Sequence, residues 1–119
     1  MRPVDATTRY NYAMMLGRTG SYEEAERQLE QSLVADPDFQ DARETLADLL
    51  VAMRREPAAI AQYREALRTK PESGRALTGL GTALAAVGER EEAAVYLRRA
   101  EADPVWRERA RQILRGLEK

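Results

Sequence analysis

The sequence predicts an all-α solenoid in which three helix pairs stack and a seventh helix closes the end. The first support is a repeat, because Pro37, Pro71 and Pro104 lie 34 and 33 residues apart. The second is the spacing of apolar residues, which recur at helical intervals in two stretches before each proline. Repeats of this length, built of helix, turn and helix, are typical of solenoids.

Caps and helix breakers set the predicted boundaries. Asp5 is a suitable N-cap for the first helix, and Ser21 with Glu24 has the pattern of a capping box for the second. Proline ends the second helix of each unit because it cannot continue a helix. The predicted helices are 6–18, 22–35, 40–53, 57–69, 74–87, 90–102 and 105–117. The chain is divided into a lead (1–5), three units (6–39, 40–73 and 74–104) and a capping segment (105–119).

The turns inside the units differ in one place. Gly20 and Gly88 follow the first helices of two units, and glycine adopts the positive φ of such a turn at little cost in free energy. Arg54 stands at the equivalent place in the middle unit, so we expect a strained turn there. The last helix has one apolar stripe and one polar face, as a terminal cap needs. Trp106 begins that stripe, and we expect it to anchor the cap in the core.

Composition limits the classes of function. The 119 residues suffice for one domain with a continuous core, and the net charge of −1 argues against bulk attraction to nucleic acid or membrane. The chain has neither Cys nor His, which removes disulfides, thiolate metal sites and His-based catalysis. The first residues contain no apolar signal region, and no run is long enough for membrane insertion. Cytoplasmic location is the default expectation, although a domain cut from an exported protein would look the same.

Small and large residues keep one register through the three units. Small side chains let antiparallel helices approach closely, and large ones fill the gaps beside them. The small residues are Ala13, Ala47 and Gly81, then Ala25, Ala59 and Ala93, then Ser32, Ala66 and Ala100; the large ones are Tyr12, Leu46 and Leu80, then Leu16, Leu50 and Leu84. On this register the chain resembles the tetratricopeptide-repeat family over about residues 6–104. It departs from the family pattern at Arg9, Arg43 and Leu77, where a large aromatic is usual.

The resemblance implies a right-handed superhelix with a concave groove, lined by the first helix of each pair, where family members mostly bind peptides or proteins. The residues expected to face this groove are Tyr10, Asn11, Met14, Asp41, Glu44, Thr45, Asp48, Val51, Arg75, Thr78 and Thr82. The best-known groove of the family clamps the carboxylate of heat-shock chaperone tails with Lys, Asn and Arg. At the matching places only Arg75 could contribute to such a clamp.

Three acidic residues share one face of the third helix. Asp41, Glu44 and Asp48 have the spacing i, i+3 and i+7. One interpretation is an acidic stripe that binds a basic peptide, and another is a solvated face. A divalent ion is the third alternative, but it would need a convergent cage of ligands. In either of the first two cases, exposed charges should contribute little to stability.

The first helix is apolar on nearly all sides, which normally requires cover on all sides. The groove and the partner helix cover two of them. Met15, beside Val4 and Thr8, should face outward where a longer array would have a preceding repeat, whereas Tyr12 and Leu16 should pack inside the first pair. The open end therefore predicts either a larger parent chain or contact with another subunit.

The sequence predicts a non-catalytic interaction module whose partner is a protein or peptide, with no cofactor and no metal. The alternative is a structural subunit that self-assembles, as a homo-oligomer or a filament, through its uncapped first helix. The basic last helix lacks the stacking aromatics of a nucleic-acid site, so its charges are interpreted as a solvated face.

Overall fold

The computed structural model describes residues 4–119, which form seven helices and no strand. The helices are α1 (Ala6–Arg18), α2 (Tyr22–Ala35), α3 (Gln40–Ala52), α4 (Glu56–Thr69), α5 (Gly74–Ala86), α6 (Arg90–Ala100) and α7 (Arg107–Leu117). Consecutive helices pack as pairs, and α7 packs against α6 and α5, which gives an elongated body of 55 × 25 × 21 Å. The predicted all-α solenoid of three pairs and a capping helix is confirmed.

Most boundaries lie within two residues of the prediction. The third, fifth and sixth helices end one or two residues early, and the seventh begins at Arg107 rather than at Val105. Val105 lies in the turn that precedes α7, where its backbone N–H donates to Asp103 Oδ1 at 2.9 Å. Among residues 4–119, no helix is both long and apolar enough to cross a membrane.

The turn at Arg54 is strained, as predicted. Gly20 and Gly88 adopt φ values of 85° and 91°, and Arg54 adopts 60° at the equivalent position of the middle unit. A left-handed conformation costs an L-residue roughly 1–2 kcal/mol because its β-carbon crowds the following carbonyl oxygen. The repeat geometry therefore imposes this conformation even where the sequence does not supply glycine.

The predicted caps are confirmed at one helix and wrong at another. Asp5 accepts a hydrogen bond from the Thr8 backbone N–H at 2.7 Å, and this bond lowers the pKa of the Asp5 carboxyl. The capping box at the start of α2 does not form, because the Ser21 side chain makes no cap hydrogen bond. Glu24 instead binds Arg27 and Gln28 on its own helix. These i,i+3 and i,i+4 contacts occupy the Glu24 carboxylate in place of the hydrogen bond that a capping box would make.

The register of small residues explains the close packing within pairs. Every small position of the predicted register is buried, in all three units. Ser32 is the polar member of this set, and its hydroxyl donates to the Ala6 carbonyl at 2.8 Å, so its burial leaves no unsatisfied group. A continuous core of leucine and alanine side chains runs through the helix pairs.

An arginine–glutamine pair occupies the place of the missing aromatic in two units. Arg9 Nη1 donates to Gln28 Oε1 at 3.0 Å, and Arg43 Nη1 donates to Gln62 Oε1 at 2.9 Å, which is the same contact 34 residues later. In the third unit, buried Leu77 occupies this position instead. The departure from the family pattern therefore replaces apolar packing by a hydrogen bond that still joins the two helices of a pair.

Tyr12 does not pack inside the first pair as its register predicted. It is 41% exposed, whereas its equivalents Leu46 and Leu80 are 3% and 0% exposed. Leu16 is half-buried against the core, as expected. The difference arises because a preceding helix pair covers this face of α3 and α5, and none of the described residues covers it on α1.

Trp106 is not the core anchor that the sequence predicted. It precedes the first turn of α7, is only half-buried, and faces a cleft that also contains Asp48 and Arg75. The cap is held instead by buried Ala110 and half-buried Ile113 and Leu114. Helical spacing does align Trp106 with Ala110, since the Trp106 carbonyl accepts from the Ala110 backbone N–H at 2.9 Å, but at the start of the cap the side chain is only partly covered.

Candidate functional site

Two clefts lie side by side along the first helices of the pairs. The N-terminal cleft, about 330 Å³, lies among α1, α2 and α3. The C-terminal cleft, about 270 Å³, lies among α3, α5 and the start of α7. Asp48 and Arg75 line both clefts, so the two form one groove divided by this pair of residues.

The two clefts differ in their lining. The N-terminal cleft is lined by Ala13, Met14, Gly17, Arg18, Tyr22, Ala25, Leu29, Thr45, Asp48, Leu49, Ala52 and Arg75. The C-terminal cleft is lined by Asp48, Val51, Tyr63, Arg75, Thr78, Gly79, Thr82, Trp106 and Arg109. The first therefore offers mainly apolar surface, and the second combines an indole ring with hydroxyls and guanidinium groups.

Arg75 and Asp48 form the ion pair between the clefts. Arg75 Nη2 and Nε donate to Asp48 Oδ2 at 2.9 and 3.2 Å, and Nη2 also donates to Thr45 Oγ1 at 3.2 Å. Burial alone lowers the pKa of the Arg75 guanidinium, but the charge and hydrogen bonding of Asp48, with help from Glu44, raise it overall. Arg75 is thus a fixed, paired charge that joins α5 to α3.

Glu44 lies beneath this pair and is 4% exposed. It accepts hydrogen bonds from Gln40 Nε2 at 3.0 Å and from the Ser73 hydroxyl at 2.5 Å, and its Oε1 lies 3.8 Å from Arg75 Nη1. Ser73 in turn caps α5, because its Oγ accepts from the Ala76 backbone N–H. Glu44 is therefore a buried link between two repeats.

Tyr63 reaches the groove from the second layer of helices. Its ring is buried, and its hydroxyl donates to Asp48 Oδ1. A β-carbon added at Gly79 would overlap the end of this ring, so Gly79 leaves the space through which Tyr63 passes. Burial, followed by the charge of Asp48, raises the pKa of the Tyr63 hydroxyl, which keeps it a hydrogen-bond donor.

The predicted acidic stripe is wrong as a surface feature. Asp41 is exposed, but Glu44 is buried and Asp48 is paired with Arg75. Helical spacing placed the three residues on one face, but the neighbouring repeat covers the middle of that face. Within residues 4–119, no group of three Asp or Glu side chains is arranged to hold a metal ion.

The structure brings most of the other predicted groove residues together. Those that line a cleft are Met14, Thr45, Asp48, Val51, Arg75, Thr78 and Thr82. Tyr10 packs on Phe39, with ring centroids 5.1 Å apart, and Asn11 is exposed outside both linings. Of the self-association candidates, Val4, Thr8 and Met15 are all exposed.

Sequence reasoning missed Trp106, Arg109 and Arg18 as groove residues. The spacing of Trp106 placed it on the apolar stripe of the last helix and so indicated a core position. Arg18 and Arg109 carry no sequence pattern that sets them apart from the other exposed arginines. Tyr63 could have been found. It is an aromatic at a position where the other units have leucine, and it faces Gly79, which replaces larger side chains of the other units.

Comparison with known proteins concerns the family and the fold. A family model described as tetratricopeptide repeat matches residues 10–67 and again residues 44–105. No curated protein matches the sequence significantly.

Several solved structures share the fold. The first tetratricopeptide-repeat domain of Spaghetti (RPAP3), bound to the HSP90 peptide SRMEEVD, has a TM-score of 0.92 at 19% identity, over 96% of this chain and 90% of that one. The chaperone SycD of Yersinia enterocolitica, in complex with a peptide of the translocator YopD, has a TM-score of 0.87 at 22% identity, over 94% and 91%. MamA has a TM-score of 0.78 at 24% identity, over 81% of this chain and 56% of that one. At these identities the likeness is one of fold.

Proposed function

Since this chain belongs to the tetratricopeptide-repeat family, we propose that it is a non-catalytic interaction module whose two clefts together bind an extended peptide or protein segment. The observation that carries this proposal is the groove itself, because two clefts with different linings meet at one fixed ion pair. The apolar N-terminal cleft can take an aliphatic or aromatic side chain, and Met14 at its rim can adapt to the shape of that side chain. Two proteins of the same fold are bound to peptides, which supports the same class of ligand.

The ligand differs in its contacts from a chaperone tail held by a basic clamp. Of the positions that match the family's clamp, only Arg75 is basic, and Asp48 already occupies its guanidinium. A peptide carboxylate at that point would have to compete with Asp48 for the guanidinium and would lie close to the like charges of Asp48 and Glu44. The proposal therefore rests on the clefts on either side of the pair.

The proposal is tested by selecting, from a displayed library of random peptides, those that bind the full chain. We expect Met14→Lys to weaken binding of the selected peptides by about tenfold or more, because it places a charge at an apolar contact. Val34→Lys is the matched control, since Val34 is an exposed apolar residue on α2 outside both clefts. Titration calorimetry with synthetic peptides gives the affinities.

Selection of no peptide above background would contradict the proposal. So would equal loss of affinity in the two lysine variants, because that result would point to a general effect of charge and not to the groove.

A second candidate function, self-association, is favoured by the exposed side of α1. Met15 is 48% exposed, whereas its equivalents Leu49 and Ala83 are 8% and 0% exposed under the preceding pair. Tyr12 shows the same contrast. Thr8, Tyr12 and Met15 thus form a stripe with the surface chemistry of a repeat interface.

The charges at the two ends of this stripe favour a second copy in antiparallel orientation. Opposed α1 helices would place Asp5 of one copy near Arg18 of the other, and Met15 near Thr8, in a contact that is the same for both copies. Antiparallel packing also brings opposite ends of the helix dipoles together. Head-to-tail stacking would instead place this apolar stripe against the polar side of α7, where Arg111 pairs with Glu101 and Arg115 with Glu108.

Mass measurement across a concentration series tests self-association. We expect Met15→Glu to weaken the dimer by about tenfold or more while helix content stays unchanged, because the change puts an unpaired charge in an apolar contact. Val95→Glu, at an exposed position of α6, is the control. A wild-type protein that remains monomeric at high concentration would exclude this candidate.

A further inference from the structure

The C-terminal cleft is built partly by the capping segment and not by the repeats alone. Trp106 and Arg109 come from the start of α7, and they line the cleft together with Val51 of α3 and Thr82 of α5. The capping helix therefore does more than cover the last repeat. It supplies an aromatic surface and a cation to the groove.

One of the two guanidinium groups that line this cleft has no partner among the described residues. Asp48 is the only carboxylate in its lining, and Arg75 neutralises it at 2.9 Å. Arg109 is exposed and makes no ion pair or side-chain hydrogen bond within residues 4–119. Its guanidinium offers donors in a planar fork that matches a carboxylate.

A second, independent observation points to a ligand in the same place. Thr78 lines the cleft and is 4% exposed, and its hydroxyl has no hydrogen-bond partner in the described part of the chain. Thr82, one turn later, satisfies its own hydroxyl by donating to the Thr78 carbonyl at 2.8 Å. Because buried polar groups in native proteins are nearly always paired, an orphan hydroxyl beside a cleft can be satisfied by an acceptor that enters the cleft.

We infer that the C-terminal cleft binds a peptide carboxylate that lies next to an apolar side chain. Arg109 and the Thr78 hydroxyl donate to the carboxylate, and the apolar side chain packs on the Trp106 indole. This inference rests on the proposed function and names the chemistry of its ligand. The carboxylate belongs either to an acidic side chain or to the chain end of the peptide.

The test uses peptides selected from the random library on the full chain, and it uses Trp106 as the reporter. Trp106 is the single tryptophan of the protein, so a change in its emission on titration reports occupancy of this cleft. We expect selected peptides to be enriched in an acidic residue beside an apolar one. Arg109→Gln and Thr78→Val should each weaken their binding by about tenfold, because each removes a donor to a charged group.

Arg115→Gln is the matched control. It removes an arginine from the same helix, but Arg115 pairs with Glu108 at 3.3 Å on the exposed side and lines neither cleft. Its affinity for the selected peptides should equal that of the wild type. Amidation of the peptide's C-terminus distinguishes the two sources of the carboxylate: retained binding identifies an acidic side chain, and lost binding identifies the chain end.

Two kinds of failure are distinguishable. If no peptide is selected, the proposed function fails together with this inference. If peptides are selected and Met14→Lys weakens their binding, the groove binds peptides and the proposed function stands. In that case, unchanged affinity in Arg109→Gln or Thr78→Val overturns the inference alone. Unchanged affinity after the acidic residues of the peptide are replaced by amides does the same.

Discussion

Gly79→Ala is expected to destabilise the protein by about 2–4 kcal/mol, although alanine favours helix over glycine by about 1 kcal/mol. The added β-carbon would overlap the end of the Tyr63 ring, which is buried, so the ring would have to shift against its neighbours. Overpacking costs about 1–3 kcal/mol, and displacement of the ring also breaks the hydrogen bond from Tyr63 to the Asp48 carboxylate, worth about 1.5–3 kcal/mol. Urea unfolding at constant pH measures the change.

A double-mutant cycle identifies Tyr63 as the cause. Tyr63→Leu introduces the residue that stands at the equivalent positions Leu29 and Leu97. In that background Gly79→Ala should be neutral or should stabilise by up to about 1 kcal/mol. Gly116→Ala is the control for helix propensity, because nothing lies near a β-carbon at Gly116. Stabilisation by Gly79→Ala in the wild-type background would show that the ring does not pass beside Gly79.

Glu44→Ala should destabilise the protein by about 2–4 kcal/mol, in contrast to the small effect that the sequence predicted for this acidic face. The change removes the acceptor of Gln40 and Ser73 and a charge near Arg75. Removing one partner of a buried network leaves the others unsatisfied, which costs about 1–3 kcal/mol for each polar group. Arg75 limits the loss because it keeps Asp48.

Asp41→Ala is the matched control for Glu44→Ala. Asp41 lies on the same helix one turn earlier and is exposed, so its replacement should change stability by less than about 0.5 kcal/mol. Thermal and urea unfolding of both variants provide the comparison. Equal, small effects would mean that Glu44 is solvated, and they would restore the acidic stripe as a surface feature.

The architecture could be predicted from the sequence because it depends on local and periodic signals. The 34-residue period, the prolines and the positions of Gly20 and Gly88 set the helices to within about two residues. The small residues at Ala25, Ala59 and Ala93 fixed which faces meet. Even the strain at Arg54 followed from the register, because one turn geometry is repeated in all units.

The candidate site was only partly predictable, and the reason is physical. Helical spacing gives the face on which a residue lies, but not whether another element covers that face. Glu44 and Asp41 share a face, and the next repeat buries one of them. Tyr63 belongs to a second helix, yet its hydroxyl reaches the groove because Gly79 leaves space.

The sequence by itself determined a solenoid of three helix pairs with a cap, the residues at its closest helix contacts and the general line of its groove, because these follow from periodicity and side-chain size. Only the tertiary structure decided what the groove contains. The turn before α7 directs Trp106 and Arg109 into it, and the ion pair between Asp48 and Arg75 divides it. Such contacts join residues far apart in the chain, and their energies depend on burial and distance, which no local pattern encodes.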